Sequence, residues 1–221
     1  MSINLSKSRV LVVGASGGIG AATADAFQAL GADVARPCHD VLDIEDDASV
    51  LAFFAMAEAF DHVVVSAART KTGSVATLAV EDAQASMNSK FFGAYRVAKA
   101  VQVNDGGSIT FVSGFLSGRP SATSVLQGSI NAALEALARG LALERAPVRV
   151  NTVSPGLVDT PLHAGMRAED RQAMFERAAA RLPARRVGQP EDIAQAILFV
   201  ATNGFTTGAT ITVDGGATVA T

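Results

Sequence analysis

The feature that most constrains the fold is the regular alternation of strand-like and helix-like segments along the chain. The apolar run Arg9–Val13 precedes residues 18–30, which carry apolar side chains at helical spacing, and similar pairs of segments follow. Repeated β-α units are typical of a doubly wound parallel sheet with helices on both faces. We therefore predict an α/β fold in which residues 1–221 form a single domain.

The predicted elements leave one irregularity. Strands are predicted at residues 9–13, 32–35, 41–44, 61–66, 108–113, 148–154 and 209–213. Helices are predicted at residues 18–30, 48–59, 80–103, 121–145, 168–182 and 191–202. Only about half a dozen residues separate the second and third strands, whereas a helical crossover takes about 10–12 residues. We therefore expect the helix between these two strands to be missing.

Composition excludes several classes of protein. The net charge is −3 and the basic residues are scattered, which argues against nucleic-acid binding. The apolar runs are far shorter than the ~18 residues of a membrane-spanning helix, so we expect no membrane partner. Residues 1–9 are polar and lack the apolar core of a signal peptide, which predicts a cytoplasmic protein. Cys38 is the only cysteine, which excludes a disulfide framework and a multi-cysteine metal site.

A glycine-rich loop lies between the first predicted strand and the first predicted helix. It reads Gly14-Ala15-Ser16-Gly17-Gly18-Ile19-Gly20. Small residues there let backbone N–H groups approach a pyrophosphate at the positive end of the helix. Because the loop follows a strand and opens a helix, it predicts a dinucleotide site in a Rossmann-type domain.

The segment after the second predicted strand bears on the choice between NADP and NAD. An acidic residue there is typical of NAD enzymes, and an arginine is typical of NADP enzymes. The segment reads Arg36-Pro37-Cys38-His39-Asp40. Arg36 and His39 favour NADP, whereas Asp40 keeps NAD possible, so we expect NADP as the preferred cofactor.

Further motifs occur along nearly the whole chain. They are Asp43-Ile44, Val65-Ser66-Ala67-Ala68, residues 149–160 (RVNTVSPGLVDT), residues 188–194 (GQPEDIA) and residues 207–216. Together with the glycine-rich loop, they resemble the short-chain dehydrogenase/reductase family. In that family the first motif holds the adenine, the second ends a strand as N-N-A-G, and the third packs on the nicotinamide. The last two motifs are similar to its C-terminal signature.

The resemblance implies a cofactor site for NADP. In the family's third motif, the position of Val158 bonds the nicotinamide carboxamide and that of Thr160 lies near the phosphate. The implied cofactor-binding residues are Gly14, Ser16, Gly17, Gly18, Ile19, Gly20, Arg36, Asp43, Ile44, Ser66, Ala67, Ala68, Pro155, Gly156, Val158 and Thr160.

The resemblance also implies a set of catalytic residues, and here the sequence departs from the family. The family uses Asn, Ser, Tyr and Lys, with Tyr and Lys spaced as Y-x-x-x-K. Alignment of residues 132–135 (AALE) with the family's K-A-A-L-E places Asn131 at the lysine position and Gln127 at the tyrosine position. Lys90, before Phe91-Phe92-Gly93, takes the asparagine position, and Ser113 keeps the serine position. An alternative alignment keeps Asn88 as the asparagine.

We therefore expect lysine and asparagine to have exchanged helices, with Lys90, Ser113, Gln127 and Asn131 lining one cleft. Lys90 would supply positive charge, and a proton if burial lowers its pKa. Gln127 can only exchange hydrogen bonds, since an amide does not titrate near neutrality. Tyr95, the only tyrosine, lies roughly 140° around the helix from Lys90 and is poorly placed to act as the acid.

Three functions remain open from the sequence. The first is an NADP(H)-dependent oxidoreductase that transfers a hydride to or from a small organic substrate with a carbonyl, imine or activated C=C group. The others are a non-redox isomerase or dehydratase and a catalytically silent NADP-binding protein. A variable lid over residues 161–186 carries several arginines, which fits either an acidic substrate or a solvated helix face. The resemblance also implies a homodimer or homotetramer formed through the two long helices, residues 80–103 and 121–145.

Overall fold

The computed structural model describes residues 4–220, which fold around one parallel sheet. Its strands are β1 Arg9–Val13, β2 Asp33–Ala35, β3 Phe60–Val65, β4 Val103–Val112, β5 Arg149–Pro155 and β6 Thr210–Val213. Within the described residues the strand order is β2-β1-β3-β4-β5-β6, and every neighbouring pair is parallel. The predicted doubly wound α/β fold is confirmed.

Helices cover both faces of the sheet. They are α1 Gly18–Ala29, α2 Asp47–Met56, α3 Val80–Met87, α4 Gly93–Ala100, α5 Val125–Glu144, α6 Ala168–Arg181 and α7 Pro190–Thr202. A π-helical turn, Asn88–Phe92, joins α3 to α4. Short 3₁₀ turns occur at Phe115–Ser117 and Pro161–His163.

The strand residues alternate between two hydrophobic clusters, one on each face. Val10 and Val12 of β1 pack with α1 and α7, whereas Leu11 and Val13 pack with α2, α4 and α5. All four side chains are buried, and each contributes roughly 1.5–3 kcal/mol relative to an exposed position. This double burial explains why the strand is a continuous apolar run and not an alternating one.

Two predicted elements differ from the structure. No strand forms at residues 41–44; the chain turns there, and Leu42 and Ile44 enter the core without pairing with the sheet. The prediction that no helix lies between the second and third strands depended on that strand. In the structure α2 joins β2, the edge strand, to the next strand, β3, so a helix is present between the second and third strands. The helix predicted over residues 80–103 is interrupted by the π-helical turn and ends at Ala100, because Val103 already belongs to β4.

The carboxyl ends of the parallel strands share one edge of the sheet. The glycine-rich loop follows β1, residues 66–68 follow β3, Ser113 follows β4, and Gly156 follows β5. Ligand sites of doubly wound sheets lie at this edge. No helix within residues 4–220 combines the length and the apolar character needed to cross a bilayer.

Candidate active site

The glycine-rich loop packs directly against the chain that leaves β3. Gly14 has a φ of +90°, a conformation that favours glycine, and a Cβ there would lie 2.6 Å from the backbone nitrogen of Ala67. A Cβ at Gly20 would overlap the carbonyl oxygen of Gly14. These two positions exclude side chains and leave a cradle lined by backbone.

The N-terminus of α1 faces this cradle with its dipole unopposed. Gly17 precedes the helix and provides no side-chain cap, and the first turn contains no acidic residue. The N–H groups of the first turn therefore remain available to an anion. Gly18, Ile19 and Gly20 form this turn, as the cofactor prediction requires.

A cavity of about 280 Å³ opens beside the loop. Eight of the residues predicted to bind the cofactor line it, namely Gly14, Ser16, Gly17, Asp43, Ile44, Ser66, Ala67 and Ala68. Its remaining walls include Arg69, Ser89 and the loop after β2. The backbone cradle and this cavity lie at the edge of the sheet where doubly wound domains bind dinucleotides.

The loop after β5 reaches the opposite side of the glycine-rich loop. Pro155 ends β5, and a Cβ at Gly156 would lie 2.6 Å from the Cα of Asp214. A Cβ at Gly18 would lie 3.0 Å from the Cβ of Thr160. Thr160 therefore borders the start of α1, while Val158 is buried.

Arg36 lies immediately after β2 and is held against α1. Its Nη1 lies 2.7 Å from Asp25 Oδ1, and its Nη2 donates to Gln28 Oε1 at 2.6 Å. His39 lies close to Asp43 instead, with 3.6 Å between His39 Nδ1 and Asp43 Oδ1. These contacts hold the Arg36 guanidinium on α1, while Pro37 and His39 of the same loop line the cavity.

A polar cluster forms where the π-helical turn meets β4 and α5. Lys90 Nζ donates to the Ser113 carbonyl oxygen at 2.7 Å and to Asn131 Oδ1 at 2.7 Å. The structure thus brings together three of the four predicted catalytic residues. Ser89, the residue before Lys90, lines the cofactor cavity, whereas the residues of the cluster themselves do not.

Burial changes the proton affinity of this lysine. Removal of the ammonium from water lowers the pKa of Lys90 to about 8, although the negative charge of Glu135 opposes the shift. A lysine with this pKa exchanges protons near neutral pH, unlike a surface lysine.

Ser113 contacts Lys90 through its backbone carbonyl and not through its hydroxyl. Its Oγ donates to Glu135 Oε1 at 3.0 Å, and Ser117 Oγ donates to the same oxygen at 2.6 Å. The carbonyl of Ser113 faces Lys90 instead. Glu135 is therefore a member of the cluster that the sequence analysis did not identify.

Gln127 supports a neighbouring segment, residues 69–73. Its Nε2 donates to the carbonyl oxygen of Lys71, and its Oε1 is buried without a described partner. Ser86 and Ser89 accept hydrogen bonds from the backbone N–H groups of Lys71 and Arg69 at 3.0 and 2.8 Å. Gln127 thus ties α5 to the 69–73 segment.

Three of the six arginines of residues 161–186 pair with carboxylates. Arg171 pairs with Asp159, Arg167 lies 2.6 Å from Glu169, and Arg186 binds Asp192 through two nitrogens at 2.6 and 2.7 Å. These pairs favour a structural role for the arginines over recognition of an acidic substrate.

A parallel sheet with a backbone phosphate cradle at the carboxyl ends of its strands belongs to the class of dinucleotide-binding domains. Residues 35–218 match the family model described as enoyl-(acyl carrier protein) reductase. A cis-4-hydroxycyclohexanecarboxylate dehydrogenase from Sinomonas cyclohexanicum is 32% identical, and the alignment covers 94% of this chain and 95% of the relative. The chain belongs to the short-chain dehydrogenase/reductase family.

Solved structures agree with this assignment. A small-chain dehydrogenase crystallised with NADPH superposes with a TM-score of 0.92 at 40% identity, covering 96% of this chain and 99% of that chain. An NADPH-bound short-chain oxidoreductase from Pseudomonas aeruginosa PAO1, described as containing an atypical catalytic center, gives 0.85 at 25% identity and 98% coverage of both chains. The predictions of an oxidoreductase and of a nicotinamide dinucleotide cofactor are thereby confirmed at the level of the family.

Proposed function

We propose that this protein is an NADP(H)-dependent oxidoreductase in which Lys90 replaces tyrosine as the proton-transferring residue. Its substrate would be a small organic molecule with a carbonyl, imine or activated C=C group. The observation that carries the proposal is the partly buried Lys90 ammonium, held between the Ser113 carbonyl and Asn131, one residue after Ser89 in the wall of the cofactor cavity.

The nicotinamide, when bound, supplies or accepts the hydride, and the chain provides position and the proton. In the reducing direction, the Lys90 ammonium gives a proton to the basic atom that develops on the substrate and becomes a neutral amine. In the oxidising direction, the neutral amine accepts that proton. Because the pKa of Lys90 is about 8, both forms are accessible near physiological pH.

The other residues of the cluster keep Lys90 in place. Ser113 and Asn131 each accept one of its three N–H groups, so one N–H remains for a bound acceptor. Gln127, in the tyrosine position, holds the 69–73 segment and exchanges no proton.

Substitution of Lys90 tests this assignment. Wild type, Lys90→Met and Gln127→Leu are assayed for NADPH consumption with a panel of ketones, including 4-oxocyclohexanecarboxylate, cyclic imines and enones. We expect Lys90→Met to lower kcat by about 100-fold or more, the usual contribution of a general acid, and Gln127→Leu to lower it far less. Lys99→Met, a change of an exposed lysine on α4, is the matched control.

Three results would contradict the proposal. A kcat of Lys90→Met equal to that of wild type would contradict the role of Lys90 in proton transfer. Substrate conversion without net nucleotide consumption would identify an isomerase or dehydratase. NADPH binding with no turnover of any panel member would identify a silent binding protein.

The preference for NADP is tested at Arg36. No acidic side chain occupies the position directly after β2, and Arg36 already lies there. Wild type should bind NADPH more tightly than NADH in fluorescence titrations. Arg36→Ala should lower the ratio of the NADH Kd to the NADPH Kd about tenfold. The variant would lose a charge-assisted hydrogen bond between the arginine and the phosphate. Arg139→Ala, on the exposed side of α5, should leave the ratio unchanged; tighter NADH binding by wild type would refute the preference.

A further inference from the structure

Glu135 holds residues 113–117, the first part of the segment that leads from β4 to α5. It lies four residues after Asn131 on α5, and therefore on the same face of the helix. Its Oε1 accepts hydrogen bonds from Ser113 at 3.0 Å and from Ser117 at 2.6 Å. Ser117 also ends the 3₁₀ turn after β4. One carboxylate thus fixes both ends of this short segment.

The same segment supplies an acceptor to Lys90. The Ser113 hydroxyl binds Glu135, and the Ser113 carbonyl binds the Lys90 ammonium at 2.7 Å. Ser113 therefore binds the Glu135 carboxylate through its hydroxyl and the Lys90 ammonium through its carbonyl. Neither of these charged groups forms a salt bridge within residues 4–220. Displacement of Ser113 would remove one of the two acceptors that hold Lys90.

Other charged groups near Lys90 are engaged or exposed. On α3, Asp82 pairs with Lys71 at 2.7 Å, and Glu81 is exposed. On α4, Arg96 pairs with Asp47, and Lys99 is exposed. Arg139 and Glu144 of α5 are exposed further along the helix. Glu135 is thus the charged group that shares a hydrogen-bonded network with Lys90.

We propose that Glu135 is a positioning residue of the active site, which holds the Ser113 carbonyl against the Lys90 ammonium and stabilises the protonated form of Lys90 by its charge. The role in catalysis rests on the proposed function of Lys90, whereas the effect on Lys90 itself does not. Burial disfavours the ammonium, and the charge of Glu135 acts in the opposite direction. Without that charge, Lys90 would lose its proton at a lower pH.

Two substitutions separate the contacts of Glu135 from its charge. Glu135→Gln keeps an oxygen that can accept from both serines but removes the charge, whereas Glu135→Asp keeps the charge on a shorter side chain. Glu144→Gln makes the same chemical change at an exposed position of α5 and is the matched control. Thermal unfolding of each variant shows how much stability is lost.

The primary measurement is the titration of Lys90 in the cofactor-free protein. The chain contains four lysines, Lys7, Lys71, Lys90 and Lys99, so ¹³C-lysine labelling gives few Cε signals and Lys90→Met assigns the relevant one. In Glu135→Gln we expect the midpoint of Lys90 to fall by about one pH unit, a tenfold loss of proton affinity. In Glu135→Asp and Glu144→Gln it should stay close to the wild-type value.

The pH profile of the holoenzyme gives the second readout. If Lys90 is the acid, the profile of kcat/KM for reduction should shift downward in Glu135→Gln by the same amount as the Lys90 midpoint. An unchanged Lys90 midpoint in Glu135→Gln, with lower thermal stability only, would overturn the inference and leave Glu135 a structural residue. A shifted midpoint with an unshifted profile would support the inference and refute the catalytic role of Lys90. If Glu135→Gln does not fold, the Lys90 midpoint of Glu135→Asp is compared with that of wild type. Because this variant keeps the charge, a shift of a full pH unit in it would contradict the role of charge.

Discussion

Burial of a lysine is costly unless its ammonium keeps its hydrogen bonds. Lys90 keeps two, to a carbonyl and to an amide oxygen, and neither acceptor carries a full charge. Such partners satisfy the N–H groups without raising proton affinity as strongly as a direct carboxylate would. An amide at position 131 therefore suits the proposed role of Lys90, in which the ammonium releases a proton.

A second buried titratable residue governs stability and not catalysis. His62 lies in β3 with 8% of its surface exposed, stacks on Phe27, and its Nδ1 lies 3.0 Å from Ser108 Oγ. Burial, with a smaller effect of the positive charge of Arg149, lowers the pKa of His62 to about 4. Between pH 6.5 and 4 the unfolded chain binds a proton that the folded chain does not bind.

We therefore expect the free energy of unfolding to fall as the pH falls through this window. The contribution of His62 between pH 7 and 4.5 is about 2 to 3 kcal/mol, from a shift of this size. Urea unfolding of wild type and His62→Gln at both pH values measures it, and the loss should be smaller in the variant. His39→Gln, at an exposed position, should behave as wild type; equal pH dependence in His62→Gln would contradict this explanation.

At the scale of elements, sequence reasoning succeeded where one physical signal dominated. Arg9–Val13 was predicted to the residue, because an apolar run followed by a glycine-rich loop has one simple interpretation. The prediction of a strand at residues 41–44 was wrong. Leu42 and Ile44 are buried and give an apolar pattern, although they do not pair with a strand. Periodicity reports burial, and it does not report which neighbour causes the burial.

The π-helical turn shows a different limit. The sequence of residues 80–103 gave no sign of an interruption, yet Asn88–Phe92 forms a turn with one extra residue and carries Lys90. Such turns are rare and occur often at functional sites. Motif alignment still brought Lys90 and Asn131 into one site, because it compares positions in a family and does not depend on ideal helix geometry.

The parts of the site that could not be predicted are contacts between distant segments. Glu135 was visible as a neighbour of Asn131 on one helix face, but its bonds to Ser113 and Ser117 depend on how the turn after β4 folds. The support of residues 69–73 by Ser86, Ser89 and Gln127 likewise follows from tertiary packing. Polar side chains that bind backbone groups leave no periodic signal in a sequence.

For the whole molecule, the remaining prediction is assembly into a homodimer or homotetramer. The segments from α3 to α4 and α5 expose large apolar side chains, including Phe92, Tyr95, Val125 and Leu143. Phe92 and Tyr95 are each nearly half exposed, although Phe92 also packs edge-on against Phe91. Apolar surface of this kind on two adjacent helical segments suits a self-complementary interface.

Light scattering after size-exclusion chromatography should give a mass two or four times 22.6 kDa for wild type. The double variant Phe92→Glu, Tyr95→Glu should shift the protein toward 22.6 kDa, because it places charges in the apolar patch that the interface would bury. Met56→Glu, on the exposed side of α2, is the matched control and should keep the wild-type mass. A monomeric wild type at micromolar concentration would contradict the predicted assembly. An unchanged mass of the double variant would show that the interface lies on another surface.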